Sequence, residues 1–459
     1  MEYFFYLVGL LPYAVAAVLG LALPLVLLAT YNYFLAGLIL VAATLVLEAM
    51  NLLQPILRIG ITLYVPDLPM VMLGVAAGLR WMLRKDVPRR HMAWVLLALV
   101  FFVDLAIGLA RHGTTAGVQG RGDFYAIAAA TYGMSFPIGQ RQVRQLVQVC
   151  SVAALALVLV CVYRWIVYYA PIPDLLPPGG VYSRDGAIRV IGANLALLIA
   201  DMAVVGLFFL RGERATGLAR WLSPVLLATV LVLQHRSVWL AGIAGVLLCL
   251  LLARAERVPL WQQVAVTILV AATAAAPIFL SDTISQQVQS SATRAIAGEG
   301  TVDARFSNWR STIEQWLGDG ARAIVVGREL GSDTTRLIES ESGTVRINFN
   351  SHNHYIDVLT NLGLLGFFGT SVILLYAAGG LIRQCRKRDE DSPYSALLLV
   401  VLGMQLTFFV AYTVDYLQYL ILGVTVAWVA GHAAAERKPA VKPARAGAQG
   451  LSRSSSVQA

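Results

Sequence analysis

Apolar runs of about twenty residues recur along almost the whole chain, and no other feature narrows its fold so far. A bilayer core about 30 Å thick is crossed by a helix of roughly 20 apolar residues. By that rule candidate spans lie at 5–29, 33–52, 67–83, 92–111, 123–138, 145–169, 187–210, 218–234, 236–253, 259–281, 354–383, 395–413 and 415–432. The segment 123–138 is short and also reads as re-entrant. The pattern predicts an all-α, polytopic integral membrane protein with about 12–13 transmembrane helices and one large loop. Composition agrees. The chain is 58% hydrophobic and 13% charged, where a soluble domain would carry roughly 25% charged residues.

Basic residues gather between the runs, in "RWMLRKDVPRRH" (80–91), "RGERATGLAR" (211–220), "RAER" (254–257), "RQCRKRDED" (383–391) and the tail after 436. Positive loops stay on the cytoplasmic side. From residue 67 onward the alternation then places 112–122, 170–186, Arg236, the loop 282–353 and Asp415 on the opposite face, the periplasm in a bacterium. No Lys or Arg precedes Arg58, so the side of the N-terminus stays open. No positive n-region precedes the first apolar run, and a signal peptide is not expected. The chain divides into 1–281, the N-terminal part of the bundle; 282–353, the periplasmic loop; 354–436, the C-terminal spans; and 437–459, a tail whose composition predicts disorder in the cytoplasm.

The net charge of +9 belongs mostly to these anchoring loops. No basic groove with interleaved aromatics appears, so nucleic acid is not an expected partner. Cys150, Cys161, Cys249 and Cys385 are scattered without a CxxC, against a disulfide framework or zinc knuckle. No G-x-x-x-x-G-K-[ST] occurs, which argues against an ATP-driven motor within the chain.

The loop 282–353 holds seven Arg and nine acidic residues, so any anion binding there must come from individually placed arginines. Within it, "TVDARFSNWRSTIEQWLGDG" (301–320) reads as an amphipathic helix with Phe306, Trp309, Ile313, Trp316 and Leu317 on one apolar face. Gly318 and Gly320 end it. Two tryptophans on such a face suit a membrane–water interface, and a helix that merely caps the bundle has the same pattern. Arg305 lies one turn before Trp309, and Arg310 one turn before Glu314, the spacing of a surface ion pair.

The loop ends on "NSHNHYIDVLTNLGLLG" (350–366), which carries two of the chain's six histidines. Ser351 or Asn353 can cap the helix that begins here. The positive end of the helix dipole disfavours imidazolium, which suits His352 to accept a proton as a general base. His354 and Asp357 are spaced i, i+3 and can meet on one side; His352 and His354 cannot. Three readings fit: a metal site of His352, His354 and Asp357, with few ligands for the purpose; polar handles at an interface; and catalysis.

The run His352-Asn353, nine residues, Gly363, two residues, Gly366 resembles the signature of bacterial O-antigen ligases, which together with O-antigen and exopolysaccharide polymerases are polytopic proteins with a large periplasmic loop before this motif. Arg305–Trp309 is similar to the family's Arg-x-x-x-Trp, and "QHRSVWLAG" (234–242) to its S-R-[ST]-x-W segment, with Arg236 in the arginine position. "VVGRELGSD" (325–333) departs from the family's P-x-x-G-x-G. The resemblance implies a glycosyltransferase of the bacterial inner membrane with its site facing the periplasm. Its donor would be an undecaprenyl diphosphate-linked glycan, and its acceptor a hydroxyl of lipid A-core or of a growing glycan.

In that chemistry His352 is the base, and Arg236, Arg305 and Arg310 hold the leaving diphosphate, since guanidinium is always charged and matches phosphate oxygens. No acidic metal motif is present, so neither a metal nor a cofactor is expected. His354, Asp357, Arg121 and Asp123 are candidate supporting residues. Asp123 could replace His352 as base, and "GRGD" (120–123) reads equally as a plain turn. Ligase and polymerase are not separated by these residues. Glu48, Asp104 and Asp201, inside predicted spans, support a different class, a proton-coupled lipid or glycan transporter; Asp104 and Asp201 can equally bond between helices.

Overall fold

In the computed structural model the described residues are 22–52, 55–59, 61–83, 91–170, 172–177, 182–184, 187–208, 217–252, 301–340, 343–347 and 351–437. Most of the predicted span 5–29, the span 259–281, the start of the large loop and the tail from 438 lie outside them. Elsewhere each apolar run becomes a helix. Helices α1 (Ala22–Asn32) and α2 (Phe34–Ala49) are separated by Tyr33. A hairpin of β1 (Pro55–Ile59) and β2 (Ile61–Tyr64) leads to α3 (Asp67–Leu83), α4 (Met92–His112), α5 (Thr114–Met134) and α6 (Gln140–Tyr169). A second hairpin, β3 (Tyr182–Arg184) and β4 (Ala187–Arg189), precedes α7 (Ala193–Phe208), α8 (Gly217–Leu233) and α9 (Arg236–Leu252). The loop contributes α10 (Thr301–Gly318), α11 (Ala321–Val326) and a hairpin of β5 (Arg336–Ser340) and β6 (Gly343–Ile347). Helices α12 (His354–Lys387), α13 (Ser392–Phe408) and α14 (Tyr416–Arg437) complete it.

The protein is a mostly helical membrane protein. Among the described residues α4, α6, α12 and α14 are long and apolar enough to cross a membrane alone, while α1, α2, α7, α8, α9 and α13 are apolar but shorter. Two of the expected spans, 5–29 and 259–281, fall mostly or wholly outside the described residues. Among the described residues three two-stranded antiparallel hairpins accompany the helices, in a chain that is otherwise all-α. Each lies in a connection between helices, where local strand pairing satisfies backbone groups that no helix takes up.

Two expectations are corrected. Residues 112–122 are not a loop and "GRGD" is not a turn: α5 starts at Thr114, and only Gly113 (φ 61) joins it to α4. The polar start of α5 is helical because part of the large loop lies on it. Gly331 N–H donates to Gln119 Oε1, and Leu330 fills the space over Gly108 and Gly120. Further along, α5 and α14 touch backbone to backbone. A Cβ on Gly133 would lie 2.8 Å from Val424 N, and one on Gly423 would lie 2.2 Å from Ala130 O. Small residues permit that approach.

Buried Arg80 fastens the opposite end of the bundle. Its Nε donates to Tyr31 O at 2.7 Å, its Nη2 to Thr30 O at 2.5 Å and its Nη1 to Ser135 Oγ, while the guanidinium lies 3.6 Å over the Phe136 ring. The carbonyls of Thr30 and Tyr31 fall at the α1–α2 break, where the chain's own helix no longer supplies donors.

Helix α12 is broken at Gly363 (φ 63, ψ −166). The break releases the Thr360 carbonyl, which accepts Arg328 N–H at 2.9 Å. A second left-handed glycine, Gly327 (φ 97), faces it: a Cβ on Gly363 would lie 2.5 Å from Gly327 N, and one on Gly327 would lie 2.0 Å from Asn361 O. The loop is thereby seated in a notch in α12. Ion pairs hold its other flank. Arg322 reaches Asp104 at 3.5 Å and Glu329 at 2.5 Å, and Glu329 also meets Arg111 and His112 on α4. Asp104 therefore anchors the loop.

Replacing Gly363 by Ala should lower the thermal midpoint of the detergent-solubilised protein, because a Cβ has no room and a left-handed L-residue costs about 1–3 kcal/mol. The control is Gly379 in the same helix, where an added Cβ would meet nothing within 4 Å. Gly379→Ala should be neutral or stabilising.

Candidate active site

The site assembles where the start of α12, the inner face of α10 and the end of α13 meet. Asn353 caps α12, its Oδ1 accepting Tyr355 N–H at 3.0 Å and Ile356 N–H at 3.2 Å. Ser351, buried just before it, is held from two directions. Its N–H and hydroxyl donate to Asp357 Oδ1 at 3.0 and 2.6 Å. Its carbonyl accepts from Trp309 Nε1 at 2.9 Å and Asn308 Nδ2 at 3.3 Å, both on α10. Between Ser351 and Asn353, His352 is forced to φ 54, a region that non-glycine residues rarely enter. The fixed neighbours impose this conformation and turn the imidazole towards Tyr412.

Tyr412 is the meeting point. It stacks on Phe408 with ring centroids 4.9 Å apart. The His352 ring lies edge-on at 6.4 Å, and the Arg305 Cζ lies 5.2 Å over the same ring. Those two distances cap the imidazole–guanidinium separation at about 12 Å. The i, i+4 spacing makes this possible: Arg305 and Trp309 share one side of α10, so the helix that fixes Ser351 also delivers the guanidinium.

Arg236 opens α9. A Cβ on Gly245 would meet Met404 Sδ, and one on Gly403 would meet Leu248 Cδ1, an antiparallel register of α9 against α13. Because α9 begins at Arg236 and α13 ends at Phe408, that antiparallel register puts Arg236 at the same end of the bundle as the residues just after α13, Tyr412 among them.

The remaining candidates separate. Arg310 is about 140° round α10 from Arg305; its side chain is 82% exposed and pairs with Glu314 at 2.8 Å. Trp309 and Trp316 turn inward, Trp316 Nε1 donating to Ala323 O at 2.9 Å. The predicted apolar face of α10 is thus divided, leaving Phe306 and Leu317 outside. His354 and Asp357 do not meet. His354 N–H donates to Phe409 O at 2.9 Å and its Nε2 lies 3.4 Å from the Tyr419 hydroxyl, whereas Asp357 holds Ser351. Asp123 accepts a hydrogen bond from Asn361 and lies near Asp357. Arg121 belongs elsewhere: it reaches Asp67 at 3.3 Å, Thr62 O at 2.7 Å and the Tyr64 ring, fastening the first hairpin. Glu48 accepts from the Tyr416 hydroxyl at 3.1 Å, and Asp201 is buried on α7. Among the described residues no group of three or more His, Cys, Asp or Glu could hold a metal ion.

Sequence reasoning passed over Tyr412, Asn308 and Asn361. Nothing in "FFVAY" (408–412) distinguishes Tyr412 from an interfacial aromatic; only the fold sets it between a histidine and an arginine. His235, one residue before Arg236, also went unremarked. Burial and the adjacent Arg189 charge push its pKa from 6.5 down to about 4.

The family model described as O-Antigen ligase (Wzy_C) matches residues 221–371, about a third of the chain. The matched stretch contains Arg236, Arg305, Trp309, His352, Asn353 and Gly363, and ends before Tyr412. No curated protein matches the chain.

Loss of the Ser351 clamp should be measurable without a substrate. Asp357→Ala removes an acceptor of two hydrogen bonds to a charged group, each worth about 1.5–3 kcal/mol, and should lower the unfolding midpoint in detergent well beyond Asp357→Asn, which keeps Oδ1. His235 generates a pH prediction. Its folded pKa is depressed, so its stabilising contribution is fully present above pH 6.5 and lost as pH falls through about 4. His235→Gln should flatten the thermal-midpoint profile between those pH values relative to the wild type.

Proposed function

We propose that this chain, whose residues 221–371 match the O-antigen ligase family model, is a membrane glycosyltransferase that moves a glycan from undecaprenyl diphosphate to an acceptor hydroxyl such as one on lipid A-core. The reaction takes place at the periplasmic face of the bacterial inner membrane. The observation that carries the reading is the convergence of His352 and Arg305 on Tyr412, with Arg236 at the same end of the bundle.

The step is a direct displacement. The acceptor oxygen forms a bond to the anomeric carbon as the bond from that carbon to the diphosphate oxygen breaks. The electron pair leaves with the diphosphate, and the acceptor proton passes to His352. A positioned base contributes about 10²–10⁴-fold. Arg305 and Arg236 bind the departing charge, which grows in the transition state and rewards fixed positive groups most strongly there. Guanidinium supplies the charge that a divalent cation gives in other transferases, and the reaction is proposed to need neither metal nor cofactor. Arg310 takes no part in the diphosphate site: its place on the outer side of α10, paired with Glu314, makes it a surface residue. Asp357 acts through Ser351 by fixing the His352 turn. Asp104, Glu48 and their partners serve the fold, so the transporter alternative gains no support from them.

The test is His352→Ala in cells, read on a lipopolysaccharide gel. Long chains should disappear from lipid A-core while lipid-linked polymer accumulates. Products capped at a single repeat would point to the polymerase of the same family instead, and an unchanged ladder would overturn the reading. In vitro, Arg305→Lys should remain at least tenfold below wild type, since a point charge does not replace a planar fork, and chelation by EDTA should leave turnover unchanged.

A further inference from the structure

The turn that delivers Arg236 is strained in the same way as the one that delivers His352. Gln234, between α8 and α9, has φ 54, as does His352. Neither is glycine, and such outliers persist only where surrounding structure enforces them. Around Gln234 the enforcing groups come from the end of the second hairpin and the residues just after it. Arg189, at the end of β4, donates from Nη2 to the Gln234 carbonyl at 3.4 Å. His235 places Nε2 3.0 Å from the Ile191 carbonyl. A carbonyl only accepts, so Nε2 carries the proton and the ring is the Nε2–H tautomer. Gln234 and His235 are 6% and 5% exposed, so water does not compete for these bonds. The two bonds point in opposite senses, one from the 187–191 segment to the turn and one from the turn back to it.

From this geometry we propose that Arg189 and His235 are positioning residues for Arg236: they lock Gln234 in the left-handed conformation and thereby aim the first residue of α9 at the donor diphosphate. The inference rests on the donor-site reading and adds to it a residue outside the 221–371 match. Released from the lock, Gln234 relaxes to negative φ, and the N-terminal turn of α9 rotates its arginine away. Glycine at 234 takes positive φ without penalty, so it should make the lock dispensable.

The experiment measures binding of undecaprenyl diphosphate to the purified full-length protein. Arg189→Ala and His235→Ala should each weaken binding roughly tenfold, the scale of the strain released. His235→Gln, which keeps a donor for Ile191 O, should stay within about threefold of wild type on the same scale. Adding Gln234→Gly to either alanine variant should restore binding, which a general loss of packing would not allow. If one alanine variant fails to fold, the other carries the same comparison. Binding by both alanine variants at the wild-type level, beside a loss in Arg236→Ala, would overturn the positioning role alone. So would a folded alanine variant that glycine fails to restore. Unchanged binding by Arg236→Ala would overturn the donor-site reading and this inference with it.

Discussion

The Trp309 indole N–H on the Ser351 carbonyl, opposed by Asp357 on the Ser351 amide and hydroxyl, is the contact on which the site depends. It joins a loop helix to the first turn of a long apolar helix at one buried residue. Because the anchors pull on consecutive backbone groups, the next residue has little conformational freedom, and His352 is left in the left-handed region. The same α10 face carries Arg305 one turn away, so fixing Ser351 fixes the distance between imidazole and guanidinium. Two motifs 47 residues apart in sequence become one mechanical unit.

That unit needs a stable seat, and the break at Gly363 provides it. An uninterrupted helix offers neighbours only side chains, because its carbonyls are taken. At Gly363 the Thr360 carbonyl is free for Arg328, and Gly327 closes against the notch with no side chain on either glycine to keep them apart. The charges on Arg322, Glu329 and Asp104 hold the adjoining strap to α4. Spacing along α12 then follows from structure: His352 projects at the helix mouth while Gly363, about three turns on, receives the loop that brings Arg305.

The helices were legible because apolar runs mark them; each predicted run between 33 and 253 and between 354 and 432 holds a helix over most of its described length. His352, Asn353, Arg305 and Arg236 were singled out by short motifs at fixed spacing, and the fold brings His352 and Arg305 to one tyrosine. What escaped depended on distant partners. Tyr412 is an ordinary aromatic until the fold brings α10 and α12 to it. Arg121 and Asp123 look like a pair, yet their helix turns one to the first hairpin and the other to Asn361. The amphipathic pattern of α10 identified a helix but not its buried side, since tryptophan suits an interface and an interior equally. The three hairpins were missed because short strands leave little periodicity to read.

The central claim is that Arg305, Arg236 and His352 surround a lipid-borne pyrophosphate sugar beside Tyr412. A cryo-electron microscopy structure of the wild-type protein with a lipid-diphosphate saccharide bound tests it most directly. The account predicts phosphate oxygens within hydrogen-bond reach, about 2.7–3.2 Å, of Arg305 and Arg236, with the anomeric carbon facing the His352 imidazole. A diphosphate bound away from both arginines, or an anomeric carbon turned from His352, would contradict it.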